Sequence, residues 1–141
     1  MNVSLSHRAR LQHVRANGCG HVPHGQFTYR EACNYVAGFD DALQGGLLRG
    51  FWEWLSVRVH GDGNYGWTWL VRADFLSVDP DGPEAGVELT LEQDAALALR
   101  FFDLLDEFLG CAEAGQLGEI FSAYAEARIA DGKRPFWWRA S

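Results

Sequence analysis

Apolar residues recur at helical spacing along most of this chain. Five segments carry such a stripe and are predicted to be helices: 28–44, 47–60, 65–78, 91–109 and 116–130. An alternation of apolar and polar residues near 86–90 also allows one short strand or hairpin. Because helical stripes cover most of the sequence, we predict a mainly α protein with a single compact domain of about five helices.

Two of the predicted helices have recognisable starts. Thr28 with Glu31, and Thr90 with Gln93, fit the capping-box pattern, in which each side chain of the pair bonds the other's backbone N–H. Gly110 follows the second of these stripes. Glycine tolerates the left-handed conformation that helix ends require, so we expect that helix to stop at Gly110.

The two ends of the chain differ from this helical core, which is predicted to span residues 28–132. Residues 1–27 are basic and carry no clear stripe, so they are predicted to form an irregular N-terminal segment. Residues 133–141 form an aromatic tail around Phe136–Trp138. The tail is expected either to dock on the core or to mark a contact site.

The sequence also predicts the cellular location of the protein. It begins without the apolar run of a signal peptide, and it contains no stretch of about 20 apolar residues that would cross a bilayer. The cysteines Cys19, Cys33 and Cys111 are odd in number and widely spaced, unlike a disulfide framework. We therefore expect a cytoplasmic protein with no membrane partner.

The net charge of −7 is unevenly distributed. Residues 1–30 hold four arginines and no acid, whereas residues 73–127 hold thirteen acids against the single base Arg100, a net charge of −12. Such a block repels phosphate and attracts basic proteins, so direct binding of nucleic acid is disfavoured. Two alternatives stay open: a solvated acidic surface that only aids solubility, or a nucleic-acid groove formed by Arg8, Arg10, Arg15 and Arg30.

No catalytic signature is present in the sequence. It lacks a Gly-x-Ser-x-Gly elbow, a phosphate-binding lysine loop and a known cysteine-protease motif, so we predict no catalytic residues and no cofactor. Cys19, His21 and His24 are ligand types for zinc, but no fourth ligand stands at a recognised spacing, and we predict no metal site. Carboxylates converging from separate helices would still permit a small enzyme.

The candidate binding residues are acids and tryptophans. The chain contains two Trp-x-Trp pairs, and residues two apart on a helix point about 200° apart. Trp52 and Trp67 fall on the predicted core stripes. The other members of the pairs, Trp54 and Trp69, should then point toward a second buried layer or toward the surface. The predicted partner-binding residues are Asp79, Asp81, Glu84, Glu88, Glu92, Trp54 and Trp69.

Segment 36–76 resembles a known family. Its characteristic runs are Gly38-Phe-Asp-Asp-Ala42, Gly45-Gly-Leu-Leu-Arg-Gly-Phe-Trp-Glu-Trp-Leu55, Gly63-Asn-Tyr-Gly-Trp67 and Leu70-Val71. These are similar to small bacterial immunity-type proteins encoded beside polymorphic or contact-dependent toxins. The resemblance implies a stoichiometric inhibitor that covers the active site of a cognate basic toxin with an acidic and aromatic surface, and it carries no catalytic residues. Another protein-interaction or regulatory module is the alternative.

Overall fold

A computed structural model describes residues 6–17, 27–59 and 65–130 of the chain. These ranges contain six α-helices: α1 (His7–Asn17), α2 (Tyr29–Ala42), α3 (Phe51–Val59), α4 (Trp67–Leu76), α5 (Leu91–Glu113) and α6 (Leu117–Ala130). A single 3₁₀ turn, Pro83–Gly86, precedes α5. The predicted all-α class is confirmed, with one helix more than expected. No strand is found in the described ranges, and residues 87–90, where a strand was allowed, are irregular.

Both predicted capping boxes are confirmed. The Thr28 hydroxyl accepts from the backbone N–H of Glu31, and the Glu31 carboxylate accepts from the N–H of Thr28. Thr90 and Gln93 form the same reciprocal pair at the start of α5. These bonds satisfy backbone donors that a helix start leaves open, which explains why α2 and α5 begin where the sequence predicted.

Helix α5 is the centre of the fold. It is apolar around much of its circumference, a pattern typical of a buried helix. Its buried residues are Leu97, Ala98, Phe101, Phe102, Leu104, Leu105, Phe108 and Leu109. Helices α1, α2, α3 and α4 each pack against α5, and α6 packs mainly against α3. In the described part of the chain, no helix is both long enough and apolar enough to cross a bilayer.

Phe51, at the start of α3, joins α3 and α4 to the central helix. Its ring centroid lies 5.3 Å from Phe108 and 6.2 Å from Phe101 in α5, and 5.9 Å from Trp67 in α4. Gly50 leads into this position with a φ of +90°, and a Cβ there would lie 3.0 Å from Leu117. The positive φ favours glycine at this turn, and the absence of a Cβ also leaves room for the Leu117 side chain at the start of α6.

The prediction of an irregular N-terminal segment is wrong for residues 7–17, which form α1. The Ser6 hydroxyl accepts from the N–H of Ala9 and caps this helix. Leu11 and Val14 are buried and hold α1 against the core. The metal candidates Cys19, His21 and His24, and the tail 133–141, lie outside the described residues.

The predicted helix end at Gly110 is also wrong. Helix α5 continues to Glu113, and the chain turns at Gly115, where φ is +79°. A Cβ on Gly110 would lie 3.0 Å from Nη1 and 3.1 Å from Cζ of Arg8. The glycine thus makes room for a guanidinium that lies directly against the α5 backbone.

Candidate partner-binding surface

The loop that follows α4 is held in shape by hydrogen bonds within the loop. The Asp79 carboxylate accepts from the N–H of Asp81 at 2.9 Å, and the Asp79 carbonyl accepts from the N–H of Gly82 at 2.9 Å. The 3₁₀ turn Pro83–Gly86 comes next and buries Ala85 completely. Asp79 therefore has a structural task in this turn.

Two side chains of α4 anchor the same loop from beneath. The indole Nε1 of Trp69 donates to the Pro80 carbonyl at 2.9 Å. The Nε of Arg72 donates to the Ala85 carbonyl at 2.7 Å, and its Nη2 donates to the Val87 carbonyl. Because Trp69 and Arg72 bond backbone carbonyls, these two anchors use none of the carboxylates of the loop.

The loop and the first turn of α5 carry five exposed carboxylates, which we call the acidic segment: Asp79, Asp81, Glu84, Glu88 and Glu92. Within residues 6–17, 27–59 and 65–130, none of the five forms an ion pair. Two apolar side chains project among them, since Val87 is 44% exposed and Leu91 is 89% exposed. The surface is thus both negatively charged and apolar.

The remaining acids of the −12 block include a second set, which we call the paired carboxylates: Asp74, Asp103 and Asp106. Asp74 lies 2.8 Å from Nε of Arg58 and 3.1 Å from Nη2 of Arg100. Asp103 and Asp106 pair with arginines of α1, as described next. Folding therefore neutralises part of the block while leaving the acidic segment charged.

Helix α1 supplies the counter-charges for α5. Nε of Arg8 donates to Asp106 at 2.6 Å, and Nη2 of Arg15 donates to Asp103 at 3.2 Å. The Arg8 guanidinium holds the pKa of Asp106 below its ordinary value, and Asp106 in turn raises the pKa of Arg8. Two of the four arginines proposed for a nucleic-acid groove are thus engaged with carboxylates, which weakens that alternative.

The two candidate tryptophans lie in different surroundings, although both are partly buried. Trp69 belongs to the acidic segment's loop through its bond to Pro80, and the Tyr65 ring stacks on it at 5.9 Å. Trp54 instead stacks on Phe51 at 6.2 Å, with the guanidinium of Arg58 5.4 Å from its ring centroid. The structure therefore joins Trp69 to the predicted acids and places Trp54 in a separate groove.

Trp52 and Trp67 are less buried than the sequence predicted. Both are only partly buried and pack against the edge of the core. The indole Nε1 of Trp52 donates to the Tyr65 carbonyl at 2.7 Å. A tryptophan at the core edge can bury its ring while its N–H still finds a partner, which is why the strict division into core and surface fails here.

Asp74 bears on the small-enzyme alternative. Its side chain is only 11% exposed, and each of its two oxygens accepts from a different arginine. Both oxygens of this carboxylate are thus already bonded to guanidinium groups of the protein itself. In the ranges described, no group of three or more His, Cys, Asp or Glu side chains is arranged to hold a metal ion.

Three residues of this surface were not predicted to be exposed binding residues: Arg72, Val87 and Leu91. Leu91 was expected on the buried apolar stripe of α5 but is 89% exposed. Arg72 stands three residues after Trp69 on one helix face. That spacing was the available signal for Arg72. The exposure of Val87 and Leu91 depends on the path of the loop over α4, which no local pattern reveals.

Comparison of the chain with protein-family models, curated proteins and solved structures gives no match. The fold and the surface define an all-α protein with an exposed acidic loop. The resemblance to immunity-type proteins therefore stays an expectation from the sequence.

Proposed function

We propose that this chain is a non-catalytic binding protein that docks on a basic partner protein through the acidic segment and Trp69. Following the family resemblance, the partner is a cognate bacterial toxin whose active site the chain covers. The observation that carries the proposal is the contrast in pairing. Arginines neutralise the paired carboxylates, whereas the acidic segment forms no ion pair in the described residues.

The charge of the acidic segment supports this proposal through the rate of encounter. Five carboxylates concentrated on one short stretch attract a positively charged protein over roughly a Debye length, about 10 Å at 0.1 M salt. Complementary charge accelerates association and selects against acidic partners. The same carboxylates repel nucleic acid, so a protein partner fits the surface better.

The apolar residues of the surface support the proposal because they could form the desolvated centre of an interface. Charge alone gives encounter, while a stable interface also needs a desolvated centre. Val87 and Leu91 provide exposed apolar area, and the partly buried Trp69 lies beneath the loop that carries Val87. The side chains of Trp69 and Arg72 donate hydrogen bonds to backbone carbonyls of the loop and so fix its shape in the unbound protein. Less conformational entropy is then lost on docking.

The test is co-expression with the product of the adjacent gene, followed by co-purification and association kinetics. The informative variant is D81K/E84K/E88K, since Asp79 has a turn to hold and Glu92 favours the positive end of the α5 dipole. At low salt the variant should associate at least about ten-fold more slowly than the wild type.

A matched control makes the same change in charge elsewhere. Asp41, Glu119 and Glu126 are exposed and form no ion pair in the described ranges, so D41K/E119K/E126K should associate much more nearly like the wild type. Equal slowing in both variants would reduce the effect to net charge. Absence of any complex with the adjacent gene's product would remove the toxin from the proposal.

A further inference from the structure

A groove lies between α3, the end of α5 and the start of α6, apart from the acidic segment's loop. Its volume is about 320 Å³. Trp54 and Val57 line it from α3, while Ile120 and Ala123 line it from α6. This is the lower end of the range for small-molecule sites, which spans roughly 300–1,000 Å³.

The groove has charged groups at its sides, and its one cation is already engaged. Arg58 lies 2.8 Å from Asp74 and 5.4 Å from the centroid of the Trp54 ring. Its contact with Glu107 is longer, at 3.5 Å, and the Glu107 side chain is 55% exposed. Since Asp74 is the closer counter-ion of Arg58, the charge of Glu107 is only partly compensated.

Glu119 adds a second negative charge to the same groove. It stands near the start of α6 and is exposed, and in the described part of the chain it forms no ion pair. Glu107 and Glu119 thus border an apolar floor made by Trp54 and Ile120. An apolar floor with carboxylates at the border is complementary to a molecule that has an apolar body and a positive end.

We propose that this groove binds a small organic cation, an ammonium group on an aromatic or alkyl body. The apolar body packs on Trp54 and Ile120, and the ammonium donates to Glu107 and Glu119. An anion of the same size meets two carboxylates and one guanidinium, that of Arg58, which Asp74 already engages, so the anion binds more weakly than the cation. A neutral analogue gains the apolar contact but not the charge–charge attraction, and it binds more weakly than the cation.

The probe is phenethylammonium chloride, titrated into the full chain at low salt and followed by NMR shifts of the tryptophan indoles. Phenethyl alcohol and hydrocinnamate are the neutral and anionic counterparts. We expect saturable binding that is tightest for the ammonium and weakest for the carboxylate, with the difference reduced at 1 M salt. Occupation should also slow alkylation of Cys111, which lines the groove, when its peptide is followed by mass spectrometry.

Two variants locate the site. E119Q should bind the ammonium about two- to five-fold more weakly, the range expected for one exposed charge. The matched control E126Q lies seven residues on, on the same face of α6 and outside the groove, and it should bind like the wild type. A123F places a ring in the groove at an exposed position and should abolish binding, while circular dichroism confirms that the helices remain.

Equal affinity for the ammonium and the alcohol would overturn the proposal, as would binding that E119Q and E126Q weaken alike. Unchanged binding by A123F would place the ligand elsewhere. D81K/E84K/E88K should bind the ammonium at least half as well as the wild type, so the groove and the acidic segment succeed or fail separately.

Discussion

Asp74 and Glu88 belong to the same acidic stretch of the sequence, yet they have opposite surroundings. Asp74 is 11% exposed and accepts from Arg58 and Arg100. Glu88 is exposed and has no ion pair in the ranges that the structure describes. The comparison teaches that a charge total for a stretch of sequence does not describe a surface, because folding decides which charges are compensated.

The two sets also differ in what they do for the fold. The paired carboxylates connect elements far apart in the chain, as in Arg8–Asp106, whose partners are 98 positions apart in the sequence. In the acidic segment, only the Asp79 carboxylate stabilises a turn, and the like charges of the segment repel one another. Charges that the fold does not use are available for an external partner.

The largest expected effect is at Asp74. Replacing the 11%-exposed Asp74 by asparagine, D74N, leaves Arg100 without its counter-charge and Arg58 with only its longer contact to Glu107. We expect a loss of about 2 kcal/mol in the free energy of unfolding, between the values typical of exposed and buried ion pairs. Urea denaturation measures this, and a loss below about 0.5 kcal/mol would contradict the comparison.

The contact of Arg8 with Gly110 can be tested by a double-mutant cycle. An exposed helical glycine replaced by alanine gains about 1 kcal/mol, but in the wild type the new Cβ would meet the Arg8 guanidinium at 3.0 Å. G110A should therefore stabilise the R8A background by about 1 kcal/mol and the wild type by clearly less. Equal stabilisation in both backgrounds, measured by urea denaturation, would show that Arg8 does not lie against α5.

A smaller effect is expected at acidic pH. Arg8 lowers the pKa of Asp106 in the folded state, so the stability from this pair is present above the unfolded pKa of about 3.9 and is lost as the pH falls through the folded value. The difference in unfolding free energy between wild type and R8A should be constant above about pH 5 and shrink below about pH 4.

The control for this profile is R10A. Arg10 is on the same helix, is exposed, and forms no ion pair within the described residues. Its removal should leave the acid part of the profile like that of the wild type. A wild-type to R8A difference that does not change with pH would contradict the assignment of Arg8 to Asp106.

The helices were largely predictable because their signals are local. Capping boxes at Thr28 and Thr90 and the apolar stripes set the starts of α2 and α5 correctly. Helix α1 was missed because its two buried residues, Leu11 and Val14, lie among arginines and give a weak stripe. Gly110 led to a wrong prediction of the helix end. The glycine lies against the Arg8 side chain, which is distant in sequence, so no local pattern reveals its role.

The candidate surface was predictable only in part, for the same reason. The exposed acids follow from a loop rich in proline, glycine and aspartate, which is a local property. Which acids would be neutralised depends on α1 and α3 packing against α5, and no local rule gives that. Trp69 and Trp54 look equivalent in sequence, and only tertiary packing places one at the loop and the other in the groove.

The most direct test of the division between paired and unpaired carboxylates is the unfolding free energy of D81N/E84Q/E88Q in urea. Removing charges that repel one another and have no counter-ion should leave stability unchanged or slightly higher, within about 0.5 kcal/mol of the wild type. A loss of more than about 1 kcal/mol would contradict the account, because it would mean that the fold itself depends on these carboxylates.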